Sequence, residues 1–192
     1  MKDAPKLVIS PVYSQLYQYW FQIDDIKKDD KTFRRYVFLS YFSVANQGLR
    51  DVAVDKWRLH IKNRLGLIQF YDKKKKLPPY TLPETQYTIG GHVKSIRSFG
   101  QNTQNFKDSS TMVKSGDSIA GMACWVYSVW GDEGWNPKKD KYNRVKSTLK
   151  IKNVFGDTSK CKLVFQKTTL GNLKDKFSTI ADFFEKSREQ IL

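Results

Sequence analysis

Between Lys56 and Lys62 apolar and polar residues take turns: Trp57, Leu59 and Ile61 alternate with Lys56, Arg58, His60 and Lys62. Successive side chains of a strand point to opposite faces, so the segment predicts a strand that gives one face to a core and shows a basic face to solvent. The interleaving returns later. Val145, Leu149 and Ile151 alternate with Lys146, Thr148, Lys150 and Lys152; after Phe155-Gly156-Asp157-Thr158-Ser159, Cys161, Leu163 and Phe165 alternate with Lys160, Lys162, Val164 and Gln166. A β-hairpin with one buried and one mainly basic face is expected.

Elsewhere the pattern is apolar on both faces. Tyr36 to Ala45 is aromatic and β-branched on both faces, and Ser118 to Val129 sets Ile119, Ala123, Trp125, Tyr127 and Val129 against Met122, Cys124 and Val126. Both are expected to be central strands covered on two sides. Tyr17, Tyr19, Phe21 and Ile23 share a face opposite Gln18, Trp20 and Gln22, ahead of a charged turn from Asp24 to Lys31. Leu7 to Val12 contains Pro11, which lacks a backbone donor and suits an edge strand. Asn46-Gln47-Gly48 reads as a turn, and Leu67 to Tyr71 as a short strand before a solvent loop. Thr85 to Ile89, Gly90-Gly91 and Val93 to Phe99 read as a strand with a bulge or sharp bend, and Gln101 to Ser110 as a loop.

Leu173, Phe177, Ile180, Phe184 and Ile191 recur at helical spacing, with Asn172 as the expected cap, and the charges of the segment cancel. This predicts an amphipathic helix over 172–191 that docks on the strands, since a membrane-surface helix would be basic. Eight or nine short strands without strand–helix alternation predict an all-β fold. The expected form is an antiparallel two-sheet immunoglobulin-like sandwich with that C-terminal helix docked on it, in a single domain over residues 1–192. A closed barrel is the second choice.

The 192 residues include 34 Lys and Arg against 19 Asp and Glu, with 40% apolar and 14% aromatic residues, enough to fill one core. Two stretches account for the whole formal net charge of +15: Lys56, Arg58, Lys62, Arg64 and the lysines at 73–76 against Asp72, and ten Lys/Arg within 138–167 against Asp140 and Asp157. A surface of one sign attracts nucleic acid, acidic polysaccharide, anionic lipid headgroups and acidic protein alike. The uncharged run from Leu7 to Ile23 is interrupted by Ser10, Pro11 and glutamines, and Ser118 to Gly131 is short. Neither is a secretory signal or a membrane span of roughly 20 apolar residues, so a soluble chain is expected. Cys124 and Cys161 are too few for a disulfide framework and lack C-x-x-C spacing; buried free thiols are expected. With no N-x-S/T acceptor site, the sequence favours a cytoplasmic setting.

Catalytic chemistry is poorly supplied. His60 lies among basic residues and His92 follows the glycine pair, while G-x-S-x-G, P-loop, His-x-x-x-His, Cys-x-x-Cys and calcium-loop patterns are all missing. No enzyme, metal or cofactor is expected. The expected function is a non-catalytic binding module that engages a protein or another anionic partner through a basic sheet face of Lys56, Arg58, Lys62, Lys146, Lys150, Lys152, Lys160 and Lys162. Nucleic acid would be bound without base recognition, because the outward positions of these strands carry no aromatic platform. One alternative is a carbohydrate- or polyanion-binding module that uses the lysine-rich strands, or a loop in which Trp130, Trp135 and Asn136 pair stacking rings with an amide. A second is a hydrolase with a spatially assembled site near His92.

Overall fold

A computed structural model describes residues 6–13, 17–28, 30–62, 85–89, 92–96, 99, 112–131 and 136–186. The expected strand Leu67–Tyr71, the lysines at 73–76 and the segment Gln101–Ser110 lie outside them. The described residues form strands β1 (Leu7–Pro11), β2 (Gln18–Lys28), β3 (Lys31–Asn46), β4 (Val52–Ile61), β5 (Thr85–Ile89), β6 (His92–Ile96), β7 (Met112–Val113), β8 (Ser118–Val129), β9 (Val145–Asn153) and β10 (Thr158–Lys167). Two short helices follow, α1 (Leu170–Lys174) and α2 (Ser178–Lys186).

Strand β3 organises the sheet. Along one edge it pairs with β8 from Arg34 opposite Val129 to Ala45 opposite Ser118. Along the other, β2 and β1 lie end to end, with Ser40 opposite Gln18 and Phe42 opposite Pro11. Tyr41 bridges the break: its N–H donates to Tyr17 O at 3.2 Å, and its carbonyl accepts from Val12 N at 3.1 Å and from Gln18 Nε2 at 2.8 Å. Beyond β2 the order continues through β10, β9, β4 and β7.

The molecule is mostly β, as its periodicity predicts, but the sheet is mixed where an antiparallel one was expected. Strand β10 runs parallel to β2, with Gln166 opposite Tyr19 and Lys167 opposite Trp20. The described pairings join eight strands into one curled sheet and leave β5–β6 as a separate hairpin, so they do not form two separate immunoglobulin-like sheets. The curl brings distant strands face to face. Phe42 of β3 lies 5.6 Å from Trp57 of β4, although β2, β10 and β9 stand between their strands in hydrogen-bond order, and Phe38 meets Phe165 at 5.3 Å. Trp57 and Phe99 stack at 5.0 Å within the same enclosed core.

A second core lies on the outer face of β2, β3 and β8, where Tyr19, Phe21, Ile23, Val37, Leu39, Met122, Cys124 and Val126 meet the helices. Phe184 packs edge-on to Phe21 at 5.5 Å, and Phe177 to Tyr17 at 5.8 Å. Two cores explain why β3 and β8 are apolar on both faces. Strand β8 is covered on both faces as expected: among the described residues its ladder partner is β3, its second apolar face is covered by helix and by Ile96, and on its other edge Phe99 N donates to Met122 O at 2.8 Å.

Three local expectations change. The charged run after Ile23 is strand, because β2 and β3 continue as a hairpin to Lys28 opposite Lys31, with a register shift between Ile23 and Ile26. Ile89 opposite His92 closes β5 and β6 into a hairpin rather than one bent strand. The helix cap is Thr169, whose extended backbone lets Oγ1 accept from Asn172 N at 3.2 Å, and the helix is broken into α1 and α2. Leu173, Phe177, Ile180, Ala181 and Phe184 are all buried across that break.

Candidate functional site: a cationic sheet face

Strands β4, β9 and β10 lie side by side, and their register sets the expected basic residues in rows. Lys152 stands between Lys56 and Thr158; Lys150 stands between Arg58 and Lys160; Thr148 stands between His60 and Lys162. Residues directly opposite on paired strands share a face, so these rows form one surface. The opposite faces carry Trp57, Leu59, Ile61, Leu149, Ile151, Leu163 and Phe165 into the enclosed core. Lys146 continues the surface opposite Val164. Lys62 follows the last residue of β4, exposed, and its carbonyl accepts from Lys138 N at 2.6 Å.

A β-bulge brings the first row into line. Val54 lies opposite Asn153 and Lys56 opposite Lys152, which leaves Asp55 as the extra residue between two inward-facing neighbours, Val54 and Trp57. The sequence carries this signal, two polar residues between two apolar ones in Val54-Asp55-Lys56-Trp57, where simple alternation allows one. Asp55 lies 3.5 Å from Lys56 Nζ. Around the first two rows the surface sinks into an open depression of about 450 Å³ lined by Lys56, Arg58, His60, Lys150, Ile151, Lys152, Thr158 and Lys160. Converging ammonium and guanidinium groups offer donors only, so the depression suits a ligand that brings several anionic oxygens.

The aromatic loop is less available. Trp130 is exposed but carries Lys31 Nζ over its ring at 4.8 Å, and Gly131 O accepts from Arg34 Nη2 at 2.6 Å. Asn136 Oδ1 accepts from Tyr36 Oη at 2.9 Å, which commits the amide oxygen to holding the loop on the sheet. Trp135 lies outside the described residues. His92 opens β6, and among the described residues no group of three or more His, Cys, Asp or Glu is placed to hold a metal ion. Both cysteines are free: burial holds the Cys124 thiol far above its ordinary value in the helix-covered core, and partial burial raises that of Cys161 beside the enclosed core.

Sequence reasoning placed the basic residues on alternating positions but missed what stands at the end of their strands. Four of the seven large hydrophobic residues exposed among the described residues, Leu49, Met112, Val154 and Phe155, belong to segments tied together at one end of the sheet. Met112 lies opposite Ala53, whose carbonyl accepts from Val154 N at 3.1 Å. The turn bearing Leu49 is fastened to the residues after β7 through Ser115 Oγ, which donates to Gly48 O at 2.8 Å.

No family model matches the sequence, and no curated protein matches it. Among solved structures the chain is similar to the X-ray structure of Northeast Structural Genomics Consortium target SoR45, at 5% sequence identity over 85% of this chain and 87% of that chain, with a TM-score of 0.31. A likeness at this level carries no argument, and the functional reading rests on the face itself.

Proposed function

We propose that the protein is a non-catalytic module that binds polyanions through the face formed by β4, β9 and β10. The observation that carries this reading is the alignment of Lys56 with Lys152, and of Arg58, Lys150 and Lys160, around one depression. Like charges placed directly opposite one another work against the sheet, so their gathering is a cost to stability that an anionic partner offsets. No Phe, Tyr or Trp occupies the outward positions of these strands, which supports attraction to a charged backbone rather than reading of bases.

Retention on immobilised heparin and titration of duplex DNA against salt test the reading. Neutralising the five cations of the first two rows contributes about −4 to −5 to the slope of log K against log salt, from roughly −0.9 per phosphate contact, and the cations of the further rows steepen it. Retention equal to that of a Lys150→Glu/Lys160→Glu variant would overturn it.

A further inference from the structure

The apolar end of the sheet and its cationic rows form one device, and we propose that it docks the protein on anionic lipid bilayers, with the β9–β10 turn leading. The inference rests on the polyanion reading of the face and names one occupant for it.

The turn is built to display its residues. Asn153 Oδ1 accepts from Phe155 N at 3.0 Å and Asp157 N at 2.9 Å, and Asn153 O accepts from Gly156 N at 3.0 Å. Gly156 takes φ +97, a conformation that L side chains rarely adopt, so glycine suits this corner. Thus held, Val154 and Phe155 are 57% and 63% exposed, with Met112 and Leu49 at the same end. The Asp157 carboxylate is engaged by Asn153 Nδ2 at 3.2 Å. An exposed aromatic on a rigid turn, with other apolar side chains beside it, has the chemistry to enter the boundary between headgroups and acyl chains.

The cations begin one residue behind that turn. Lys152 precedes Asn153 and aligns with Lys56; the next row, with Arg58, Lys150 and Lys160, lies about 7 Å further back at the usual rise of a strand. The polar layer of a bilayer is roughly 5–8 Å deep on each side. With Phe155 at the acyl boundary, the first row therefore lies among headgroups and the second within a Debye length of about 8 Å. Lys162 and Lys146 stand further away, out of reach. A soluble polymer laid across the sheet has no such order and draws on every row. Neither part suffices alone, since one small apolar anchor holds a bilayer marginally and a polybasic patch beside it makes the attachment stable. No helix among the described residues is long and apolar enough to cross a membrane, and this docking needs none.

Co-sedimentation of the full chain with vesicles of phosphatidylcholine, alone or mixed with phosphatidylserine, tests the proposal, with heparin retention run in parallel. The parent is expected to sediment with the phosphatidylserine vesicles and to be left behind by phosphatidylcholine alone. Val154→Ser with Phe155→Ser should weaken vesicle binding on the order of tenfold or more and leave heparin retention and thermal melting unchanged. Lys146→Glu with Lys162→Glu should do the reverse, weakening heparin retention and sparing the vesicles. Vesicle binding by the serine variant equal to that of the parent, or heparin retention without any phosphatidylserine preference, would overturn the membrane proposal and leave polyanion binding standing. A parent that ignores both probes removes the polyanion reading as well.

Discussion

Arg58 and Lys150 stand directly opposite one another on adjacent antiparallel strands. Lys160 opposes Lys150 from the other side, so Lys150 is flanked by cations within its own row. Cross-strand pairs of like charge destabilise a sheet by roughly 0.2–1 kcal/mol each. Lys150→Thr is therefore expected to raise stability by about 0.5–1 kcal/mol in low salt while weakening heparin retention. Added salt should close that gap, because the repulsion is screened in the parent and missing from the variant. Urea unfolding at two ionic strengths reads both effects, and a Lys150→Thr variant that is less stable at low salt would contradict them.

Phe42 is fully buried, with Phe99 at 5.2 Å, Trp57 at 5.6 Å and Trp125 at 6.5 Å. It joins the two halves of the curled sheet. Phe42→Ala should cost about 3–5 kcal/mol through lost burial and the cavity left behind. Phe155→Ala, at the exposed turn, should stay within about 0.5 kcal/mol of the parent. Equilibrium unfolding of the two variants side by side measures the contrast.

Asp140 fastens the loop before β9. Its Oδ1 accepts from the backbone N–H groups of Tyr142 and Arg144, each at 2.9 Å, and Oδ2 from Arg144 Nε at 2.8 Å. The Arg144 backbone hydrogen bond is the largest of the influences that hold this carboxyl below the ordinary carboxylate value. A lowered pKa means that the carboxylate contributes stability above its unfolded value, near 3.9, and that this is lost as pH falls through the lower folded value. The same loop is pinned by Trp20 Nε1, which donates to Asn143 O at 2.8 Å. The Trp20 indole N–H resonance should therefore shift on acidification below about pH 4. Asp140→Ala should show the shifted resonance at neutral pH and lose the acid step.

Cys124 and Cys161 should separate in thiol labelling. Cys161 is partly exposed on β10, whereas Cys124 is sealed between β8 and the helices. A maleimide should modify Cys161 in the native protein, slowly because its pKa is raised, and reach Cys124 only as the protein unfolds. Mass spectrometry of timed samples gives the order; equal native rates would mean that the helices open far more readily than their packing implies.

The cationic face was legible because its signal is local. Trp57, Leu59 and Ile61, and Leu149 and Ile151, declare their faces through neighbours two positions away, and a register of like rows follows once their strands pair. The double apolar faces of β3 and β8 were equally plain, although the pattern does not say that helix packing supplies the second cover. The seam of β10 with β2 was not legible: parallel pairing between residues near opposite ends of the chain leaves no mark in either segment. Thr169 took the cap from Asn172 because hydroxyl and amide side chains serve that role alike, and helical spacing alone does not show where the first turn begins. Phe155 read as the first residue of a turn and its display was not legible, since exposure depends on what covers a residue, and here it stands 63% exposed.

The parallel seam also sets the timetable of folding. A tight turn can close β9 onto β10, but parallel neighbours require a crossover connection, and here residues 29–157 lie between them. As the polypeptide leaves the ribosome, β2 can zip onto β3 early, yet its outer edge must wait until β10 has been synthesised. Molecules halted during translation would therefore offer a bare strand edge to their neighbours, which makes chaperone capture of nascent chains more consequential for this topology than for a succession of hairpins.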